Sequence, residues 1–466
     1  MTLTKKIKFL LALFCVCIIS FGAEAQTYLR TVVSQTDTAA MVAAVVNLGD
    51  GRLMYRFTRD NSLLEGDYRI LGRYHWRYEL AQFSGGMYDG KYQSFEDDKL
   101  TGEGIYKAGL LNGMFINYHS DGSIRREAPF VDGELHGIEK IYYDNGKLES
   151  VQGYKNGKLH GIGQSWSLTD GEYIQRTETN HIDGVPDGKQ IDFAFFSSDG
   201  IITVYYDKGV RVGEFTQRRL DGSLIMQGQY VNGEKDGVWT EYRANGNPQK
   251  ISTYKNDKLN GELKTFSSDG TLLSHEHYVN EELEGIRKDY FSESGTLRME
   301  YHYVGGRRDG EYKLYRDDGM LREEGRMERG REVFKKEYHP NGNVRSISNY
   351  LQNRDRHGEN NTYFLDGTPE KIANYVNGRR EGVEKEYFAS TGKLRTEYNF
   401  VNGNRVGEYK IYFDDGTLRE EGRYENGDMV YQKEYHSNGN VRRIRERNSR
   451  GAWETLATYR ADGSEI

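Results

Sequence analysis

The chain has almost no cysteine, little proline, no excess of positive charge and no apolar run long enough to cross a bilayer. Its two cysteines, Cys15 and Cys17, lie close to the N-terminus. Beyond them there is no thiol to close a disulfide, bind zinc or act as a nucleophile. Proline occurs five times in 466 residues, against a usual share of about 5 %, which excludes a proline-rich linker. The 64 Lys and Arg are interspersed among 71 Asp and Glu, so the basic patch of a nucleic-acid-binding protein is missing. The apolar run from Phe9 to Phe21 is shorter than the roughly 20 residues of a spanning helix. No phosphate-binding loop, H-E-x-x-H or G-x-S-x-G motif occurs.

What stands at the N-terminus is MTLTKKIKFLLALFCVCIISFGAEAQ. Lys5, Lys6 and Lys8 precede the apolar run, and Ala23-Glu24-Ala25 forms a small-residue cleavage site. The pattern is that of a secretory signal peptide over 1–25, with Gln26 as the mature start and no membrane span after its removal. The expected location is periplasmic or extracellular. Loss of three lysines and Glu24 takes the net charge from −7 to −9.

Glycine (55) and tyrosine (36) are abundant and regularly placed. The pattern Y-x-x-[DN]-G-x-[LIV] gives a series from Gly122, Gly146, Gly171, Gly200 and Gly222 onward to Gly439 and Gly463, close to 24 residues apart. Four residues before the glycine stands an aromatic, such as Tyr142, Phe196, Phe291, Tyr338, Phe388 or Tyr412; two after it stands an aliphatic, such as Leu148, Val344 or Leu418. Eight after it stands a second aromatic, such as Tyr230, Tyr303, Phe400 or Tyr424, followed by a second turn, [ND]-G-x-x-x-G. Two turns per unit leave two segments of about seven residues, which is strand length.

The spacing predicts an all-β fold: an elongated array of antiparallel β-hairpins joined in a twisted, single-layer meander. About seventeen units stacked at two strand spacings each extend over roughly 160 Å. Residues 26–50 do not fit the repeat and read as an N-terminal cap. The array covers 51–466, is degenerate over 51–110 and loses step over 171–222. Residues 290–346 recur at 387–443 with a constant offset of 97, including YHPNGNVR at 338–345 and YHSNGNVR at 435–442.

For His339-Pro340-Asn341-Gly342 the chemistry predicts a type I turn followed by a left-handed glycine, since proline suits the second position of the turn and glycine alone takes positive φ cheaply. That loop sets Tyr338 opposite Val344 and Tyr412 opposite Leu418. Arg322, Glu324, Arg419 and Glu421 are expected on the other face.

Histidines keep the repeat phase: His136, His160 and His357 precede the second-turn glycine, and His119, His339 and His436 precede the first turn. They read as turn residues. His275 and His277 share a strand face, but His302 lies one unit away, about 9.5 Å, which is awkward for joint ligation. No catalytic residue, cofactor or metal site is expected. The tyrosine columns read as the core, or as a binding platform with Tyr315, Tyr338, Tyr363, Tyr412 and Tyr435 as candidate contact residues.

YYDNGKLESVQGYKNGKLHG (142–161) and YFDDGTLREEGRYENG (412–427) resemble the MORN-repeat variant of bacterial proteins of the YwqK antitoxin type, over nearly the whole mature chain. The resemblance implies a non-catalytic hairpin array, with antitoxin activity in some members and protein- or lipid-binding scaffolds among related repeats. Export and length depart from a small cytosolic antitoxin. The first expectation is an exported scaffold for an unknown protein partner. The alternatives are an exported antitoxin or immunity protein and an envelope glycan-binding protein, although the four tryptophans are out of repeat phase.

Overall fold

A computed structural model describes residues 27–34, 40–74, 76–169, 172–194 and 200–466. The expected signal segment with Ala23, Ala25 and Gln26, and Gly171 and Phe196 of the repeat series, lie outside the described residues. Among the described residues there is no helix, and 42 strands belong to one antiparallel sheet beside a small three-stranded one. The all-β hairpin reading therefore holds. The chain divides into two compact units, Met1–Gly213 and Glu214–Ile466.

Unit 1 opens with β1 (Thr27–Ser34), β2 (Ala40–Asn47), β3 (Leu53–Phe57), β4 (Gly66–Leu71), β5 (Arg77–Ser84), β6 (Met87–Glu96) and β7 (Lys99–Lys107). Here the meander is broken once, because β1 pairs with both β2 and β4. In β2 the buried residues alternate, Ala43 and Val45, as a half-buried strand requires. The Tyr55 N–H donates to the Gly86 carbonyl (2.7 Å) and the Gly86 N–H to the Leu64 carbonyl (3.0 Å), tying β3 to the β5–β6 turn. Inside this fold-back Val32, Ala43, Val45, Leu64 and Ile70 are fully buried, together with Tyr55, Phe83 and Tyr88.

The hairpin unit is well seen over 137–161. Strand Gly137–Tyr142 leads into a loop in which the Gly146 N–H donates to the Tyr143 carbonyl (3.0 Å) and the Tyr143 N–H to the Lys147 carbonyl (2.9 Å). Gly146 takes φ +79°. Strand Leu148–Lys155 returns to Asn156 and Gly157, both at positive φ, the two-residue hairpin turn that matches strand twist. The next strand then bulges around His160 and Gly161 before pairing resumes.

The same three-residue loop forms at His339–Asn343, with Gly342 at φ +87° and pairs Tyr338–Val344 and Tyr412–Leu418. The turn and its register are as expected. Two units differ. Before Gly295 and Gly392 the loop is one residue longer, since those glycines donate to the carbonyls of Phe291 and Phe388. The aromatics opposite Leu297 and Leu394 are therefore Tyr290 and Tyr387, not Phe291 and Phe388. Where the last glycine of the second turn is missing, register shifts by a single residue between Glu332 and Phe334 and between Met429 and Tyr431.

Adjacent units are stitched at both rims. His119, His339 and His436 place Nε2 at 2.9–3.0 Å from the carbonyls of Tyr142, Tyr363 and Tyr459 in the next unit. Arg219, Arg243 and Arg316 do the same from the equivalent position. Asn341 and Asn343 both donate to the Leu365 carbonyl, and Asn438 and Asn440 to that of Ala461. The repeated octet thus supplies three side-chain donors to the following turn. At the other rim the N–H of many second-turn glycines, as at Gly157, Gly378 and Gly403, donates to a carbonyl of the preceding unit.

Candidate binding face

Strands place successive side chains on opposite faces, and the two faces of the repeat differ in chemistry. One is largely covered. In unit 2 it holds Trp239, Tyr303, Tyr312, Phe400, Tyr409 and Tyr424, all buried. Tyr398 and Tyr409 stack at 5.5 Å, Tyr424 closes on Tyr409 at 5.1 Å, and the Arg405 guanidinium lies 3.9 Å over Tyr398. The earlier copy repeats this with Tyr301, Tyr312 and Arg308. Charge is buried here only in pairs: Glu384 meets Lys371 and Arg380, and Asp289 meets Arg287. The column eight residues after the glycine is thus part of the covered face. Tyr312 and Tyr409, seven before the glycine, were not singled out in the sequence, and Trp239, expected there to be out of repeat phase, holds the same position before Gly246.

The other face is the candidate site. In unit 2 a row of cross-strand partners runs Lys288, Glu300, Lys313, Glu324, Lys336, and again Lys385, Glu397, Lys410, Glu421, Lys433. Oppositely charged partners alternate, and Lys288–Glu300 (3.4 Å), Lys336–Glu324 (3.6 Å) and Lys385–Glu397 (3.3 Å) form ion pairs. Such exposed pairs contribute about 0–1 kcal/mol each, and like charges directly opposite would oppose the register.

Two residues beyond each lysine or its equivalent stands the tyrosine column. The candidates Tyr315, Tyr338, Tyr363, Tyr412 and Tyr435 occupy this one row on alternate strands, each partly buried. The Tyr338 hydroxyl donates to Glu324 (2.5 Å) and that of Tyr435 to Glu421 (2.5 Å); in unit 1 Tyr118 donates to Glu103 and Tyr142 to Glu127. Burial, with the carboxylate beside it, raises the Tyr338 and Tyr435 phenols above the usual tyrosine range, and pushes Tyr142 up to about 12. Glu324 and Glu421 therefore share the tyrosine face. Their expected place on the other face is overturned by the bulge after Leu321 and Leu418, which adds one residue and reverses the alternation.

In some hairpins an exposed aliphatic stands two residues before the lysine or its equivalent, on the same face, whereas before Lys264, Lys313 and Lys410 the position holds Glu262, Glu311 and Glu408. In unit 1 the aliphatics are Ile138 and Ile162, the latter 62 % exposed; in unit 2 they are Val238 (58 %), Ile286 (52 %) and Val383 (44 %). Sequence reasoning passed over them, although each directly follows a second-turn glycine. The face thus offers spaced apolar side chains beside a tyrosine–lysine–glutamate lattice. His275 lies in the same cross-strand row, 3.4 Å from Glu262, while His302 Nδ1 meets the Asp309 carbonyl at 2.6 Å. Among the described residues no group of three or more His, Cys, Asp or Glu is arranged to hold a metal.

Fold and face together define an antiparallel hairpin-repeat protein. The MORN repeat variant family matches five stretches of it, residues 135–156, 235–256, 259–280, 335–352 and 405–426. No curated protein matches along the sequence. Among solved structures the chain is similar to a crystal structure of TcdB2-TccC3, with 11 % identity and a TM-score of 0.13 over 92 % of this chain and 33 % of that one. It is also similar to a Photorhabdus luminescens Tc holotoxin pore carrying the TccC3-D651A mutation, with 10 % identity and a TM-score of 0.14 over 93 % of this chain and 28 % of that one. The chain spans about a third of the length of these structures.

Proposed function

We propose that the protein is an exported, non-enzymatic repeat scaffold that docks a protein partner on the tyrosine–lysine face of its hairpins. The observation that carries this is the set of outward aliphatic side chains, Val238, Ile286 and Val383 among them, next to tyrosine hydroxyls and paired charges. Apolar and aromatic contact residues within a polar surround are the make-up of a protein interface. The same few residue types recur unit after unit, which suits a repeated contact better than a single reaction. The signal-like N-terminus supports export.

The test uses the purified processed chain as bait in envelope extract, beside an Ile286→Asp/Val383→Asp variant. Both positions are exposed, so the variant is expected to fold, and far-UV circular dichroism checks it. A partner held by the native face and lost from the variant supports the reading; a captured toxin would make the scaffold an immunity protein. Failure to retain any protein at any salt, or equal capture by the variant, overturns it. Mass spectrometry of the exported chain is expected to find Gln26 at its start.

A further inference from the structure

The repeat face leaves one part of unit 1 unused. Beside the β4–β5 loop opens a cleft of about 950 Å³, walled by β1, β5 and β6. Arg30, Arg73 and Arg77 line it, with Glu79 and Glu96. Two of the guanidinium groups are engaged: Arg77 donates to Glu96 (2.8 Å), and Arg30 lies 4.0 Å from Glu79 and donates to the Leu71 carbonyl (3.4 Å). Arg73 is exposed and has no partner among the described residues. The same loop carries Tyr74 and Trp76, with rings nearly parallel (13°) and centroids 4.7 Å apart. They are 50 % and 37 % exposed.

The loop is built to hold them. The Gly72 N–H donates to the Arg77 carbonyl (2.8 Å), the Arg77 N–H to the Tyr74 carbonyl (3.0 Å), and the Asp97 N–H to the Trp76 carbonyl (2.8 Å). Two large rings are therefore kept near the surface while the apolar core of the same unit lies a strand away. An exposed aromatic pair beside an unpaired guanidinium has the character of a contact site.

We propose that this cleft binds an acidic saccharide, the sugar ring stacking on the exposed Tyr74 ring in its wall and its carboxylate meeting Arg73. The chemistry favours this class over others. A sugar ring presents C–H groups to an aromatic face and hydroxyls at its edge, and Glu79 and Glu96 accept from hydroxyls. Guanidinium recognises a carboxylate through two parallel N–H bonds. Three arginines against two glutamates leave one positive charge, which matches a monoanion; a phosphate dianion would stand against two carboxylates. A neutral apolar ligand would desolvate the arginines without replacing their hydrogen bonds.

The test is isothermal titration of the full processed chain with cellobiouronate, a disaccharide with one carboxylate, and with neutral cellobiose, following tryptophan fluorescence in parallel. Cellobiouronate is expected to bind at least tenfold more tightly than cellobiose. Arg73→Gln is expected to abolish that preference, and Tyr74→Ala to weaken binding at least tenfold. Both residues are exposed, so unchanged thermal melts are expected of both variants, and the Ile286→Asp/Val383→Asp variant is expected to bind saccharide like the native chain. No binding of either oligosaccharide, equal binding of both, or native affinity in both cleft variants overturns the proposal. It stands or falls independently of the docking face.

Discussion

The aspartate or asparagine that precedes most first-turn glycines does two jobs. It occupies the turn, and its side chain accepts the backbone N–H two residues on, as Asn145 does from Lys147 and Asp415 from Thr417. This local bond is the physical content of the [DN]-G signal. Where a Ser or Thr follows, its hydroxyl joins in, and these bonds hold Asp121, Asp221, Asp366, Asp415 and Asp462 below the usual carboxylate range; Asp269 falls to about 2. A carboxyl whose pKa is lowered by folding stabilises the fold above its unfolded value, near 4, and loses that contribution as pH falls through its folded value. The melting temperature is therefore expected to fall between about pH 4 and pH 2. Replacing the six aspartates with asparagine, which keeps the acceptor but does not titrate, is expected to flatten that fall in circular-dichroism melts. An unchanged slope would refute the assignment.

Glycine matters at this scale for a second reason. A Cβ on Gly422 would lie 2.2 Å from the Tyr431 carbonyl oxygen and 2.6 Å from the Tyr409 ring. Gly422→Ala is expected to cost about 1–3 kcal/mol, as overpacking does, measured by urea unfolding. Nothing in Y-x-x-[DN]-G points to that glycine. Its need arises from a ring on the neighbouring strand.

At the scale of the hairpin, turn geometry was readable from the letters because positive φ demands glycine and the type I turn accepts proline. Two readings failed, both through counting. Tyr290-Phe291 and Tyr387-Phe388 are aromatic doublets, so a loop longer by one residue still shows an aromatic four before the glycine. Glu324 and Glu421 changed faces because each unit carries a bulge after Leu321 or Leu418, and an odd number of extra residues flips every side chain beyond it. The covered face is where a hairpin gains most. Tyr409, 1 % exposed, packs between Tyr398 and Tyr424 and donates to Glu420. Tyr409→Ala is expected to cost about 3–5 kcal/mol, read by urea unfolding, whereas truncating the partly buried Tyr412 is expected to cost much less.

At the scale of the whole molecule, stability is distributed unevenly. The fold-back of β1 to β7 gathers fully buried aliphatic and aromatic side chains into one core. The hairpins of unit 2 bury small ring clusters and paired charges, with polar residues such as Ser252, Ser274 and Gln432 among them. Amide exchange is governed by the local free energy of opening. The amides of Val32, Val45 and Tyr55 are therefore expected to exchange most slowly by hydrogen–deuterium mass spectrometry, and the hairpin turns of unit 2 fastest. Slower exchange across unit 2 than in this core would contradict the account.

The sequence alone determined the hairpin, its length, the places of its two turns and the usual conformation of the first, because those depend on neighbouring residues and on the few side chains that tolerate each backbone angle. It also carried the duplication, since identical local chemistry rebuilds identical turns. Only the tertiary structure decided which face each charge occupies, because bulges reset the alternation. It alone paired β1 with β4, closed the apolar core and set Arg30 beside Glu79. Those contacts join residues far apart in the chain, and their energies are settled by burial and register, which no short stretch of letters contains.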